Sequence, residues 1–227
     1  MAPNHRLQLE GPAWGSAADG TSASARPRWR RSSLPPRVEG RIQLIWLSVA
    51  IVLCSDLPPL VAAQAPRPAQ IILIRHAEKP PDPENPHLSH AGVKRAGQLV
   101  SFITTDPAML RFGLPVAVFA TQSTKHDNGQ RTQETVAPLA RALKLPVQTP
   151  YLGKDYAALA KLILATPAYT GKTVLICWNH EEIPQLAAAL GVTPEPPKWK
   201  GSVFDQVYVI PYRDGQAGLV TTRYGSR

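Results

Sequence analysis

From about residue 66 onward, short unbroken apolar runs alternate with stretches in which apolar residues recur every three or four positions. Ile71-Ile72-Leu73-Ile74 is apolar throughout, as suits a strand buried on both faces, and it stops in Arg75-His76. Pro80-Pro81-Asp82-Pro83-Glu84-Asn85-Pro86 follows, a segment that can be neither helix nor central strand. Ser89 is a suitable N-cap for a helix to about Thr104, with Val93, Ala96, Val100 and Ile103 inward and Lys94 and Arg95 toward water. Pro115 to Ala120 reads as a second buried strand, and a helix opened by Arg131 carries Val136, Leu139, Ala140 and Leu143 at helical spacing.

The same alternation continues to the C-terminus. Leu145 to Thr149 is a short strand between Pro146 and Pro150, placed toward a sheet edge. Asp155 to Ala165 is a helix with Leu159, Leu162 and Ile163 inward, Thr173 to Trp178 a buried strand, and Ile183 to Leu190 a helix closed by Gly191. Val203 to Tyr212 alternates in the manner of a strand nearer an exposed position, and Gly218 to Tyr224 can pair with it across Asp214-Gly215. Repeated strand and helix predict one α/β domain with a largely parallel sheet and helices on both faces.

The region before residue 66 changes the picture of where the domain begins. Residues 1–40 are rich in Pro, Gly, Ser, Ala and Arg without apolar periodicity, and read as a disordered extension or as sequence upstream of the true start. Residues 41–65 read as a signal peptide. An apolar run at 42–54 is short for a membrane span, basic residues precede it, and Ala63-Gln64-Ala65 has the small-x-small form of a cleavage site. The expected product is a periplasmic or secreted chain, residues 66–227. The alternative is an uncleaved anchor at 42–54, which would be the only tie to a membrane.

Charge and cysteine content refine this reading. Seven arginines face four acids before residue 66, and eighteen lysines and arginines face twelve acids after it. A basic domain favours anionic ligands. Nucleic acid is not expected, because no basic block or basic-aromatic alternation is present. Cleavage would leave Cys177 alone, without an intrachain disulfide; a buried structural thiol is the favoured reading over a nucleophile. No metal is expected, since no His-x3-His or Cys-x2-Cys spacing occurs, and no cofactor.

In a parallel sheet the strands' carboxyl ends share one edge, where ligands bind. Arg75 and His76 end the first strand, Arg131 follows the second, and His180 follows the fourth. Two guanidiniums and two imidazoles at one edge make an anion pocket containing a nucleophile. A phosphomonoester held by Arg75, Arg131 and His180 would present its phosphorus to His76, forming a phosphohistidine that water then hydrolyses. Ser123, in the polar loop at the same edge, joins the substrate-binding set. The leaving group needs a proton donor, for which Glu181 ranks ahead of Glu78, Asp82 and Glu84. Glu134 is expected to brace its own helix.

These residues resemble the histidine phosphatase superfamily, also called phosphoglycerate mutase-like. Arg75-His76-Ala77 resembles its signature, Leu88-Ser89-x-x-Gly92-x-x-Arg95-Ala96 its second segment, Arg131-Thr132-Gln133-Glu134-Thr135 its third, and His180 its late histidine. The resemblance implies a three-layer α/β sandwich, His76 as the phosphorylated nucleophile, and Arg75, Arg131 and His180 as phosphate ligands. The compact core favours a phosphatase acting on a phosphorylated small molecule over a mutase. The alternatives are a non-catalytic binder of anions on this fold, and a mutase-type or phosphohistidine-protein phosphatase enzyme.

Overall fold

The computed structural model describes residues 66–82, 84–124 and 129–225. The readings of residues 1–65, signal peptide included, fall outside them, as do residues 125–128 of the polar loop after Ala120. The described residues belong to one compact unit, Val61–Arg227.

Strand β1 (Gln70–Arg75) is fully buried, as the uniformly apolar Ile71–Ile74 at its centre requires. It is followed by α1 (His90–Thr105), β2 (Pro115–Ala120), α2 (Gln130–Leu143), β3 (Val147–Gln148), α3 (Tyr156–Ala165), β4 (Thr173–Trp178) and α4 (Ile183–Ala189). Three strands complete the chain: β5 (Gln206–Arg213), β6 (Gln216–Ala217) and β7 (Val220–Arg223). The sheet order is β3-β2-β4-β1-β5, with β6 and β7 both pairing with β5. The first four of these strands are mutually parallel, and β5 runs antiparallel to β1.

Alternation of side chains sorts the core into two layers. Ile71, Leu73, Phe119, Val174 and Ile176 pack under α3 and α4 on one face. Ile72, Ile74, Val118, Leu175 and Cys177 pack under α1 and α2 on the other. The result is the three-layer α/β sandwich, helices covering both faces of a mostly parallel sheet.

Several expectations about faces are corrected. Val93 is 60% exposed, and the buried stripe of α1 is Gly92, Ala96, Leu99 and Ile103. Gly92 sets that face: a Cβ there would lie 2.4 Å from the Glu78 carbonyl oxygen, so the helix approaches β1's exit backbone to backbone and turns Val93 out. Arg95 does not face water but binds Glu78 and the Tyr224 carbonyl. On α3 the inward residues are Leu159, Ala160 and Ile163, whereas Leu162 is exposed.

Strand β5 differs most. It starts at Gln206, not Val203, and lies inside the sheet beside β1 with Val207 to Ile210 buried. Val203 leaves the ladder because its carbonyl accepts from Arg75 and from Trp199 instead. The hairpin turns at Asp214 and Gly215, both at positive φ, as a two-residue primed turn demands.

Candidate active site

β1, β2 and β4 lie side by side and parallel, so their carboxyl ends open on one edge. Arg75 pairs in register with Trp178, which brings His180, two residues beyond β4, next to the Arg75-His76 corner. Arg75 is 2% and His76 8% exposed. The anchors of this corner are threonines of α2. The Ala77 N–H donates to Thr135 Oγ1, and the Thr121 N–H to Thr132 Oγ1, so one helical turn ties down the exits of both β1 and β2. Arg131 stands in that turn.

His76 Nδ1 lies 2.7 Å from the Ala77 carbonyl oxygen. A carbonyl only accepts, so Nδ1 carries the proton and Nε2 carries the lone pair. Burial, followed by Arg75, Arg131 and His180, lowers the imidazole's pKa to about 4 against the pull of that carbonyl. His76 is therefore neutral near pH 7, with an unprotonated Nε2 3.5 Å from Arg75 Nη2.

Arg75 divides its donors. Nη1 gives hydrogen bonds to the carbonyls of Gly201 (2.8 Å) and Val203 (3.1 Å). Nη2 faces His76 Nε2 and, at 3.4 Å, His180 Nδ1, while the buried Nε has no partner. Nε and Nη2 form the side of the guanidinium suited to two oxygens of one anion. Burial lowers its pKa to about 10, so it remains a cation. His180 is also held below its usual pKa, by burial and then by Arg75.

Arg131 lies within electrostatic reach of His76, and Nη2 donates to the Asn85 carbonyl at 2.5 Å while its buried Nε has no partner. The proline segment is thereby pinned to α2 at the pocket's margin, and Glu134 reinforces the pin. Rather than bracing only its own helix, Glu134 accepts from the Leu88 N–H and pairs with His87, besides Gln130 within the helix.

Among the carboxylates, Glu181 comes within 3.9 Å of His180 Nε2 with its side chain 74% exposed. Glu78 is taken up by Arg95: burial alone would raise its pKa, but the hydrogen bond and charge of Arg95 bring it below the usual value. Asp82 caps the Glu84 N–H within the proline segment. Ser123 is exposed. Cys177 is buried and its pKa is raised by burial, as a structural thiol's would be. Among the described residues there is no cluster of metal-ligating side chains, and no helix long and apolar enough to cross a membrane.

Several solved structures resemble this chain, two of them as follows. A candidate phosphohistidine phosphatase SixA from Agrobacterium tumefaciens aligns with a TM-score of 0.40 and 15% identity, over 70% of this chain and 99% of that one. A candidate alpha-ribazole-5'-P phosphatase from Escherichia coli K-12 aligns with a TM-score of 0.43 and 15% identity, over 68% and 96%. No family model and no curated protein matches the chain.

One wall of the pocket escaped the sequence reading. The stretch 199–204 brings two carbonyls to Arg75 and lays the Phe204 ring 4.0 Å from Arg75 Cζ. Phe204 also meets the His76 ring edge-on, with centroids 6.0 Å apart. Read as the start of a strand, Phe204 carried no signal of such a role.

Proposed function

We propose that this protein is an exported phosphatase that hydrolyses phosphomonoesters through a phosphohistidine at His76. The observation that carries the reading is the unprotonated His76 Nε2 beside the Nε–Nη2 side of Arg75, whose Nη2 faces both imidazoles and whose buried Nε has no partner. A nucleophile and an oxyanion fork on one corner, with a second imidazole across from them, suit attack on a tetrahedral anion better than binding alone.

In the first step Nε2 attacks phosphorus in line as the bond to the substrate oxygen breaks, and the leaving oxygen takes a proton from Glu181. Arg75, Arg131 and His180 hold the nonbridging oxygens. The Ala77 carbonyl keeps its hydrogen bond to Nδ1–H as charge develops on the ring. In the second step water gives a proton to Glu181 and its oxygen to phosphorus, the N–P bond breaks, and inorganic phosphate leaves with His76 neutral again. The basic residues 66–227 support an anionic, phosphorylated small-molecule substrate, and the apolar run at 42–54 followed by Ala63-Gln64-Ala65 supports export.

The test is hydrolysis of p-nitrophenyl phosphate by the wild type and by His76→Ala. The expected result is activity lost by at least about 10³-fold in the variant, with label from substrate trapped on His76 in the wild type. Equal activities would remove the proposal. Phosphate binding with no turnover and no phosphoenzyme would instead identify a non-catalytic binder.

A further inference from the structure

The Arg75 guanidinium is gripped from outside its own motif. Its Nη1 is held by two carbonyls, Gly201 and Val203, that are two residues apart. Its π face lies against Phe204, whose ring centroid is 4.0 Å from Cζ. The grip is itself anchored. Buried Trp199 donates Nε1–H to the same Val203 carbonyl and packs on Tyr208 of β5, with centroids 4.9 Å apart. On the other side, Asp205 is fixed by a two-oxygen ion pair with Arg223 of β7, and its carbonyl accepts from the Tyr224 N–H.

A guanidinium at the end of a long side chain has several rotamers, and two oxygens of one anion can use it only when its plane and its free side are fixed. Two carbonyls on one nitrogen fix the direction of the fork but leave rotation about that axis. A ring stacked on the face removes it. We infer that Phe204 is a positioning residue for oxyanion binding, holding the Nε–Nη2 side of Arg75 toward the nucleophile through cation–π contact. This rests on Arg75 being an oxyanion ligand as proposed above.

Gly201 belongs to the same device. A Cβ built there would lie 3.4 Å from His180 Nε2, so the 199–204 segment passes both Arg75 and the second histidine at contact distance. One strap thus lines two phosphate ligands from different strands.

The experiment measures inorganic phosphate binding by calorimetry, independent of turnover, for the wild type, Phe204→Leu and Phe204→Tyr, with thermal unfolding of each. Phe204→Leu keeps apolar bulk and removes the ring; the expected outcome is phosphate affinity weaker by about tenfold, with a melting temperature near the wild type's. Phe204→Tyr keeps the ring and recovers most of that loss. The Arg75 Nε–H proton resonance, identified by its absence in Arg75→Lys, shifts in Phe204→Leu because the ring current is gone. If Phe204→Leu does not fold, Phe204→Met supplies the same comparison. Unchanged phosphate affinity in the ring-less variant, or an Arg75 resonance indifferent to it, overturns the inference, as does a wild type that binds no phosphate. A wild type that binds phosphate in this pattern yet hydrolyses nothing supports the positioning role and removes the catalytic reading.

Discussion

Arg75 Nη2 stands 3.4 Å from His180 Nδ1, joining the ends of two strands whose sequences are separated by about a hundred residues. The contact follows from parallel pairing of β1 with β4, in which Arg75 faces Trp178 and His180 overshoots by two residues. It makes the late histidine a neighbour of the arginine that precedes His76, at one corner of the pocket.

Activity should have an acid limb set by His76. Burial and the neighbouring cations bring its pKa down to about 4, and only neutral imidazole attacks phosphorus. The kcat/KM for p-nitrophenyl phosphate should rise with pH through that value and level off above it. A midpoint near 6.5, the usual histidine value, would show that the ring is not held neutral by its surroundings.

The same shift links pH to stability. The unfolded imidazole binds its proton near 6.5 and the folded one near 4, so between those values the unfolded chain holds more protons. His76's contribution, of the order of 3 kcal/mol, is complete above 6.5 and lost as pH falls toward 4. Denaturant titrations across that window should show stability declining with acid in the wild type and a shallower decline in His76→Gln.

If Arg131 holds the substrate's oxygens as proposed, Arg131→Ala should lower kcat/KM by about two to four orders of magnitude. It also releases the Asn85 carbonyl, so the proline segment should become more open to limited proteolysis. Steady-state kinetics with a proteolysis time course reads both effects. Proteolysis alone changing would mean that Arg131 only braces the segment.

Glu181→Gln should discriminate between leaving groups. An alkyl phosphate, whose oxygen needs a proton to depart, should be hydrolysed slower by about 10²-fold or more, while p-nitrophenyl phosphate is affected far less. Equal loss on both substrates, measured as kcat, would assign Glu181 to binding and leave the donor elsewhere.

Thr135→Val tests the tie between α2 and the exit of β1. It leaves the buried Ala77 N–H without its acceptor and should cost about 1–3 kcal/mol of stability by chemical denaturation. Cys177, which also bonds Thr135, is buried and should remain unreactive toward thiol reagents in the folded protein.

Much of the scaffold was legible along the chain. Uniform apolar runs marked β1, β2 and β4 because a strand covered on both faces has no polar side to show. Helical spacing located α1 to α4, and the ends of β1, β2 and β4 named Arg75, His76, Arg131 and His180. Which face each helix turned inward was less secure. Val93 and Leu162 fit an apolar stripe on paper, yet close backbone approach at Gly92 and the packing of Leu159 and Ile163 decided otherwise.

Local pattern settles element type and the carboxyl ends of β1, β2 and β4 here because both depend on residues only a few positions apart. Tertiary structure alone decides the rest: which donors of Arg75 are spent on Gly201 and Val203, which nitrogen of His76 keeps its lone pair, and that Phe204 covers the guanidinium. These depend on segments brought together by the closing of the sheet, and no spacing rule in the chain encodes a carbonyl's direction. The same holds for Glu78, a plausible acid in sequence that the fold commits to Arg95.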